Sequence, residues 1–159
     1  MTVKVKFTSE EAKKLYLAAS KGMSIFPFKT HNEDFCYDVV ATSRTEIAPN
    51  VYKYGIGLAF QVYRLNGFSN TRVSIDLRPC SSVWKTGMVL SNCTGTVDET
   101  YTGEVSAVFY HLFPDMPIYE VGDRIGQIKI GTALPMEFVE VDELDVTARG
   151  DGGYGSTGK

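Results

Sequence analysis

Hydrophobic residues alternate with polar residues along most of the chain, in short runs that are rich in Val, Ile, Tyr and Phe. A period of two residues is typical of β-strands that bury one face. Turn residues separate the runs, as in Pro49-Asn50, Asn66-Gly67, Pro114-Asp115 and Gly122-Asp123. The pattern predicts strands at residues 3–7, 37–41, 56–62, 72–77, 103–112, 124–130 and 137–141.

A single segment, residues 9–22, has helical spacing. Thr8 and Glu11 form a capping-box pattern, in which Ser or Thr precedes a helix and an acid follows three positions later. The apolar positions that share one helix face are Ala12, Leu15, Tyr16 and Ala19. Gly22 is suited to end the helix. We therefore expect an all-β fold, a jelly-roll-like β-sandwich or barrel, with one short peripheral helix.

Length and composition favour one compact domain. The chain has 159 residues with 43% hydrophobic content, which is enough for a single core. Its 16 basic and 19 acidic residues are mixed along the sequence and leave a formal charge of -3. Because proteins hold duplex nucleic acid through a basic field, this balance argues against a nucleic-acid partner.

The cysteines, Cys36, Cys80 and Cys93, are odd in number and lack CxxC spacing, and the two histidines, His31 and His111, lie far apart in sequence. This arrangement predicts neither a disulfide framework nor a zinc site. No apolar run approaches the roughly 20 residues that cross a bilayer, and the first residues lack the apolar region of a signal peptide. We expect a soluble, cytoplasmic protein with reduced cysteines and no membrane partner.

Residues 149–159, RGDGGYGSTGK, form the segment of lowest complexity. Its glycines leave the backbone free to bend around a ligand. Arg149, Tyr154, Ser156 and Thr157 add a charge, an aromatic ring and two hydroxyls, which together suit a nucleotide. A disordered Gly/Ser tail is the alternative interpretation.

Further stretches carry polar residues that strands and turns do not themselves require. They are residues 79–82 (PCSS), 92–103 (NCTGTVDETYTG) and 122–127 (GDRIGQ). Taken singly, each has an ordinary interpretation. Asp98 can bond to its own backbone in a turn, Tyr101 can be a rim or core aromatic, and Gln127 can be an exposed strand residue.

Taken together with the tail, these stretches resemble the five sequence motifs of the trimeric dUTPases, the deoxyuridine triphosphate nucleotidohydrolases. Residues 35–38, FCYD, resemble the first motif, AGYD, and residues 79–82 resemble the second, PRSS. Residues 95–103 resemble the third, GxIDxxYxG, and residues 122–127 match the fourth, GDRIxQ. The tail resembles the fifth, RGxGGFGSTG, with Tyr in place of Phe.

The resemblance implies one dUTPase-like β domain over residues 1–148 and a flexible, Gly-rich lid over residues 149–159. It also implies a homotrimer, in which three chains build shared active sites at their interfaces. The expected reaction is the hydrolysis of dUTP to dUMP and pyrophosphate, with Mg²⁺ as cofactor. That reaction limits the incorporation of uracil in DNA and supplies dUMP for dTMP synthesis.

The family's pattern also implies roles at the nucleoside end of the site. The acid at the position of Asp98 orients a water for attack on the α-phosphorus, and a carboxylate beside a bound water is a competent general base. The ring of Tyr101 lies under the deoxyribose and excludes a 2′-hydroxyl. Asn92 and Gly95 belong to a β-hairpin that reads uracil.

Further roles concern the phosphates and the lid. Phosphate contacts are implied for Ser81, Ser82, Gln127, Arg149, Ser156 and Thr157. Arg suits this role because its planar fork meets phosphate oxygens in two parallel bonds. Tyr154, next to Gly155 in the lid, stacks on the uracil. The phosphates and their waters hold most of the Mg²⁺ coordination shell, with Asp38 as an outer-shell carboxylate.

Two positions depart from the family pattern. Cys80 stands where the second motif has Arg, and Cys36 stands where the first motif has Gly. Loss of the Arg removes a fixed positive charge near the phosphates. Because Arg78 is two residues before Cys80 and so on the same strand face, we hypothesise that Arg78 partly replaces that charge.

Two other functions remain open from the sequence. A catalytically weak nucleotide-binding or regulatory protein would keep the dUTPase fold without turnover, and Cys80 favours this alternative. A dCTP deaminase shares the fold and uses a glutamate as its base, but the corresponding position here is Val108. Valine cannot transfer a proton, which argues against deamination.

Overall fold

The computed structural model of the protein describes residues 2–63 and 71–152. The strands are β1 (Thr2–Phe7), β2 (Tyr37–Val40), β3 (Ser43–Ala48), β4 (Val51–Gly55), β5 (Leu58–Tyr63), β6 (Arg72–Pro79), β7 (Met88–Leu90), β8 (Gly95–Asp98), β9 (Ser106–His111) and β10 (Arg124–Ala133). An α-helix, α1, covers Glu10–Ala19, and a short 3-10 helix covers Ser81–Lys85.

The strands form antiparallel sheets that do not close into a barrel. One four-stranded sheet has the order β2-β10-β6-β8, a second has the order β3-β4-β9-β7, and β1 pairs with β5. Tyr54, Phe109 and Tyr119 pack edge to face in the core, with ring centroids 5.6 to 6.3 Å apart. The expected all-β fold with one helix is confirmed, in an open, sandwich-like form.

The sheet of order β2-β10-β6-β8 buries one face and leaves the other polar. On β6 the buried residues are Val73, Ile75 and Leu77. Because successive side chains of a strand point to opposite faces, Ser74 and Arg78 lie on the polar face. The strand register sets Gln127 between Asp38 and Arg78, and it sets Asp98 opposite Ser74. The polar residues of the predicted site on this sheet therefore share one face.

Helix α1 begins one residue later than the capping-box pattern predicts. Ser9, not Thr8, is the N-cap, and its Oγ accepts a hydrogen bond from the N–H of Ala12 at 3.1 Å. The helix ends at Ala19, before Gly22, whose φ of +84° allows the chain to reverse. With 10 residues in α1, the described part of the chain has no helix that is long and apolar enough to cross a membrane.

The periodicity did not predict β3, β4, β7 and β8. All six residues of β3 are exposed, so this strand has no apolar face to recognise. Strands β7 and β8 contain 3 and 4 residues, which is too few for a period of two to stand out.

The prediction of a strand at residues 137–141 is wrong. These residues belong to no strand, and their side chains are exposed. The alternation is present in the sequence, but a strand also needs a partner for its backbone, and this chain supplies none within the described residues. The exposed apolar side chains of this region are Leu134, Met136, Phe138, Val139, Val141, Leu144 and Val146. We refer to residues 134–146 as the apolar arm.

Candidate active site

One group of predicted site residues lines a cavity of about 790 Å³ beside β2 and β10, which we call the Asp38 cavity. Asp38 and Gln127 reach it from neighbouring strands. Ser81 and Ser82 reach it from the 3-10 helix that follows β6. Residues from the first, second and fourth motifs therefore meet in one place.

Asp38 is only 7% exposed, and its carboxylate is held by two donors. Arg124 donates from Nη1 to Oδ2 at 3.0 Å, and Gln127 donates from Nε2 to Oδ1 at 3.0 Å. A buried carboxylate without partners would carry a large desolvation cost, and these charge-assisted and amide bonds offset that cost and fix the orientation of the carboxylate.

The donor set fits a magnesium ion that is bound mainly through substrate and water. Within the described residues, no group of three or more His, Cys, Asp or Glu side chains is arranged to hold a metal ion. Both oxygens of Asp38 already accept a bond, yet each keeps a further lone pair for a metal-bound water. This arrangement suits an outer-shell role and does not provide a protein cage.

Cys80 lines the same cavity and brings no charge to it. Its thiol is buried and lies 3.5 Å from the backbone oxygen of Arg124. Burial, together with the nearby carboxylate of Asp38, raises the pKa of the Cys80 thiol to about 11, although the Arg124 guanidinium acts in the opposite direction. The thiol is therefore neutral at pH 7 and supplies no charge at the position where the family's second motif has Arg.

Arg124 and Lys85 also line the Asp38 cavity and were not among the predicted site residues. Arg124 stands inside the fourth motif, so the sequence contained a signal for it. Lys85 reaches the cavity from the last position of the 3-10 helix that follows β6, and no sequence pattern predicted that helix.

Arg78 lies outside the residues that line the Asp38 cavity. It is exposed on the polar sheet face and pairs in register with Gln127. The hypothesis that Arg78 replaces the missing charge of the second motif stays a prediction.

The other group of site residues lines a separate cavity of about 250 Å³, which we call the Asp98 cavity. Asn92, Gly95, Asp98 and Tyr101 all contribute to its wall. It lies at the β8 edge of the sheet, whereas the Asp38 cavity lies at the β2 edge. Among the described residues, none lines both cavities.

Two hydrogen bonds, one from its backbone and one from its ring hydroxyl, fix Tyr101 in the turn that follows Asp98. Its N–H donates to the carbonyl of Asp98 at 3.0 Å, and its hydroxyl donates to the carbonyl of Glu104 at 3.0 Å. A Cβ at Gly103 would lie 2.6 Å from the Tyr101 hydroxyl, so a larger residue at this position would displace the Tyr101 ring. The Tyr101 side chain is still 49% exposed, which leaves its ring accessible to a ligand.

Residues 92–95 do not form the predicted hairpin. They connect β7 to β8, and these two strands belong to different sheets, since β7 pairs with β9 and β8 pairs with β6. Met88 and Leu90 of β7 are buried in the other layer of the fold, which draws the two strands apart. The connection turns at Cys93, which has a φ of +57°.

The lid is described only in part. Arg149 lies in an exposed turn, where its Nε donates to the carbonyl of Gly152 at 2.9 Å, and it lines neither cavity. The other predicted lid residues, Tyr154, Gly155, Ser156 and Thr157, lie outside the described residues.

A family model described as dUTPase matches residues 24–158. The chain belongs to the dUTPase family. It is 36% identical to the deoxyuridine 5′-triphosphate nucleotidohydrolase of Corynebacterium glutamicum over 137 residues, which cover 84% of this chain and 87% of that protein. It is 32% identical to the corresponding Helicobacter pylori protein over 126 residues, or 77% of this chain and 81% of that protein. These relatives are, by name, dUTP diphosphatases.

Solved structures of phage dUTPases share the fold. The dUTPase of Staphylococcus bacteriophage 80alpha with dUPNHPP superposes with a TM-score of 0.73 at 22% identity, over 99% of both chains. A mutant dUTPase of phage phi11 of S. aureus superposes with a TM-score of 0.63 at 18% identity, over 92% of this chain and 100% of that chain. A structural Mg(II) ion is described for the phi11 protein.

Proposed function

We propose that this dUTPase-family protein hydrolyses dUTP to dUMP and pyrophosphate by attack of water on the α-phosphate, assisted by Mg²⁺. The main support is the division of polar residues between two cavities. One cavity holds an acid beside a fixed aromatic ring, and the other holds two serines, an amide and a buried carboxylate. The first set suits a nucleoside and a reacting water, and the second suits a triphosphate.

Asp98 acts as the general base in this proposal. Its side chain is exposed in the Asp98 cavity, where a water can reach it. General-base catalysis by a positioned carboxylate contributes about 10²–10⁴-fold in rate. The neighbouring ring of Tyr101 supports the deoxyribose, and its bulk excludes the 2′-hydroxyl of a ribonucleotide. Asn92 and Gly95 line the same cavity and contact the uracil.

Ser81, Ser82 and Gln127 contact the phosphates in the Asp38 cavity. Arg124 and Lys85 add positive charge to the same wall. Bound Mg²⁺ would neutralise phosphate charge, with Asp38 accepting hydrogen bonds from its water shell. Because both oxygens of Asp38 are held by Arg124 and Gln127, the carboxylate is oriented before the ion arrives.

We further propose that the protein works as a homotrimer with shared active sites. Asp98 lies at the β8 edge of the sheet, whereas the Asp38 cavity with its phosphate-binding residues lies toward the β2 edge, so a neighbouring copy is needed to bring Asp98 to an Asp38 cavity. The apolar arm supports assembly as well. Phe138 and Leu144 are each 86% exposed, and burial against another subunit would remove this apolar surface from water.

The Gly-rich residues 149–159 close over the assembled site in this proposal. Arg149, Ser156 and Thr157 contact the γ-phosphate, and Tyr154 stacks on the uracil with Gly155 at its side. Stacking of a base on an aromatic ring contributes about 1–3 kcal/mol.

The test is a pyrophosphate-release assay of the purified protein with Mg²⁺ and dUTP, with UTP, dTTP and dCTP as matched alternatives. We expect turnover of dUTP and little of the others. Ammonia release from dCTP would indicate the deaminase instead.

The neutral thiol of Cys80, at the position of the family's Arg, favours one alternative, a nucleotide-binding protein with weak or no turnover. Binding of dUTP without release of pyrophosphate would support that alternative and would overturn the hydrolase proposal.

A further inference from the structure

Strand β2 lies at the edge of its sheet, and the N-terminal part of the chain covers its outer side. On that side, Asp38 donates its N–H to the carbonyl of Phe28 at 2.7 Å. Two residues further on, Val40 donates its N–H to the hydroxyl of Tyr16 at 3.3 Å. Both outward amides of the strand that carries Asp38 therefore bond to the N-terminal segment and not to another strand of the sheet.

Tyr16 is suited to this contact because its hydroxyl makes two bonds inside the core. The side chain is 0% exposed, and the hydroxyl donates to the carbonyl of Ile56 at 3.1 Å while it accepts from Val40. Burial raises the pKa of the Tyr16 phenol well above its ordinary value, so the hydroxyl keeps the proton that it donates. The ring of Phe7 packs against the Tyr16 ring, with centroids 6.3 Å apart.

The contact lies next to an irregularity in the sheet. Val40 pairs with Arg124 and Asp38 pairs with Gln127, but the register between β2 and β10 shifts between Arg124 and Gly126. A bulge interrupts the ladder of hydrogen bonds and re-aims the side chains beside it. Strand β2 therefore gains less restraint from β10 at this point, and its outer contacts become more important.

We propose that Tyr16 is a positioning residue, whose hydroxyl holds β2 beside the bulge so that Asp38 meets Arg124 and Gln127. Helix α1, which carries Tyr16, precedes residues 24–158 that match the dUTPase family model, so this restraint comes from outside the matched region. Its effect on catalysis rests on the proposed hydrolysis of dUTP, whereas its effect on β2 does not.

The effect on β2 is measured by amide hydrogen exchange, with residue resolution by NMR. In the unmodified protein, we expect the Val40 amide to be as protected as the buried amides of β6. Rapid exchange of Val40 would overturn the proposal without any variant. In Tyr16→Phe, Val40 loses its acceptor inside the core, and we expect its exchange to accelerate about tenfold or more relative to β6.

Tyr54→Phe is the matched control. Tyr54 is also 0% exposed, and its hydroxyl donates to the carbonyl of Tyr119 at 2.9 Å, a bond that does not involve β2. This variant loses a comparable buried hydrogen bond, so it should destabilise the protein without accelerating Val40 selectively. If Tyr16→Phe and Tyr54→Phe change the same amides equally, Tyr16 has only a general structural role and the proposal is overturned.

The catalytic effect is measured as the Mg²⁺ concentration that gives half-maximal hydrolysis of dUTP. We expect Tyr16→Phe to raise this concentration several-fold, because Asp38 is less well oriented, while Tyr54→Phe leaves it unchanged. If the unmodified protein does not hydrolyse dUTP, the proposed function fails, and the exchange experiment still decides whether Tyr16 positions β2. An unchanged Mg²⁺ response in an active Tyr16→Phe protein would overturn the catalytic part.

Discussion

Asp38 and Asp98 lie on the same polar face of one sheet but at its opposite edges. The sheet order β2-β10-β6-β8 places two strands between them. Across the sheet, the three strand spacings between Asp38 and Asp98 correspond to about 14 Å. Along the strands, the offset from Arg78 to Ser74 on β6 adds a separation of about 13 Å. One chain therefore cannot bring both carboxylates to the same phosphate group, which is why we propose sites shared between chains.

Two inactive variants should restore activity to each other if the sites are shared. We expect Asp38→Ala and Asp98→Asn to be inactive or very weak alone. In mixed trimers made by co-expression, some sites would combine an intact Asp38 from one chain with an intact Asp98 from another. Pyrophosphate release from dUTP by the tagged and purified mixed trimers is the measurement.

The amount of activity recovered in the mixed trimers distinguishes a site shared between chains from a site built within one chain. A site built within one chain would always contain one of the two changes, so the mixture would stay inactive. Light scattering of the unmodified protein should give the mass of three chains, and a monomer with full activity would contradict the shared site.

Asp98→Asn should separate binding from turnover. The amide keeps the size of the side chain but cannot accept a proton from water, so we expect kcat to fall by about 10²–10⁴-fold. Affinity for an uncleavable dUTP analogue, measured by calorimetry, should change little. Asp115→Asn, a change at an exposed acid outside both cavities, is the matched control. Retention of full turnover by Asp98→Asn would remove this residue as the base.

Deletion of residues 150–159 should leave the fold and the assembly intact and strongly lower kcat. Residues 150–152, the described part of this segment, line neither cavity, so the loss of these three residues removes no part of either cavity wall. The lost lid would expose the reacting phosphate to bulk water. Circular dichroism and light scattering test the fold and the assembly, and steady-state kinetics test the rate. An unchanged rate would mean that the segment is only a disordered tail.

Arg78→Ala tests whether a neighbouring cation compensates for Cys80. If Arg78 contacts the phosphates across a subunit interface, we expect its loss to lower kcat/KM about tenfold or more, as for a charge-assisted hydrogen bond. Lys85→Ala is the informative comparison, because Lys85 lines the Asp38 cavity and Arg78 does not. If kcat/KM falls for Lys85→Ala but not for Arg78→Ala, the compensating cation is Lys85.

The cysteines should differ in their reaction with iodoacetamide. Burial raises the pKa of Cys80 to about 11, so little thiolate forms at pH 8, and the side chain is also shielded. Cys93 is exposed on its turn. Mass spectrometry of the native protein at pH 8 should find Cys93 modified and Cys80 intact. Equal modification of both would contradict the burial of Cys80.

Local patterns in the sequence determined the class of fold and the family. Alternation of apolar residues needs no knowledge of distant contacts, and it correctly indicated an all-β domain. The spacing of apolar residues and the hydroxyl residues before them predicted helix α1, although its N-cap is Ser9 and not Thr8. The residues of the motifs pointed to the dUTPases because their types and spacing can be read directly.

The same patterns failed where a partner decides the outcome. Residues 137–141 alternate as a strand does, yet a strand exists only when another backbone pairs with it. Strand β3 has no apolar face, and it forms because β4 pairs with it. The predicted hairpin at residues 92–95 became a connection between sheets because β7 and β8 found different partners.

Tertiary structure alone decided the arrangement of the candidate site. Arg124 and Asp38 are 86 residues apart in sequence, and only the pairing of β2 with β10 brings them within 3.0 Å. The bond between Tyr16 and Val40 likewise depends on how α1 packs on the sheet edge. The sequence by itself determined which chemical groups the chain carries and which local structures they favour. Strand order and packing decide which of these groups meet. The reason is that they set the distances between residues that are far apart in sequence, and those distances cannot be read from the sequence separation.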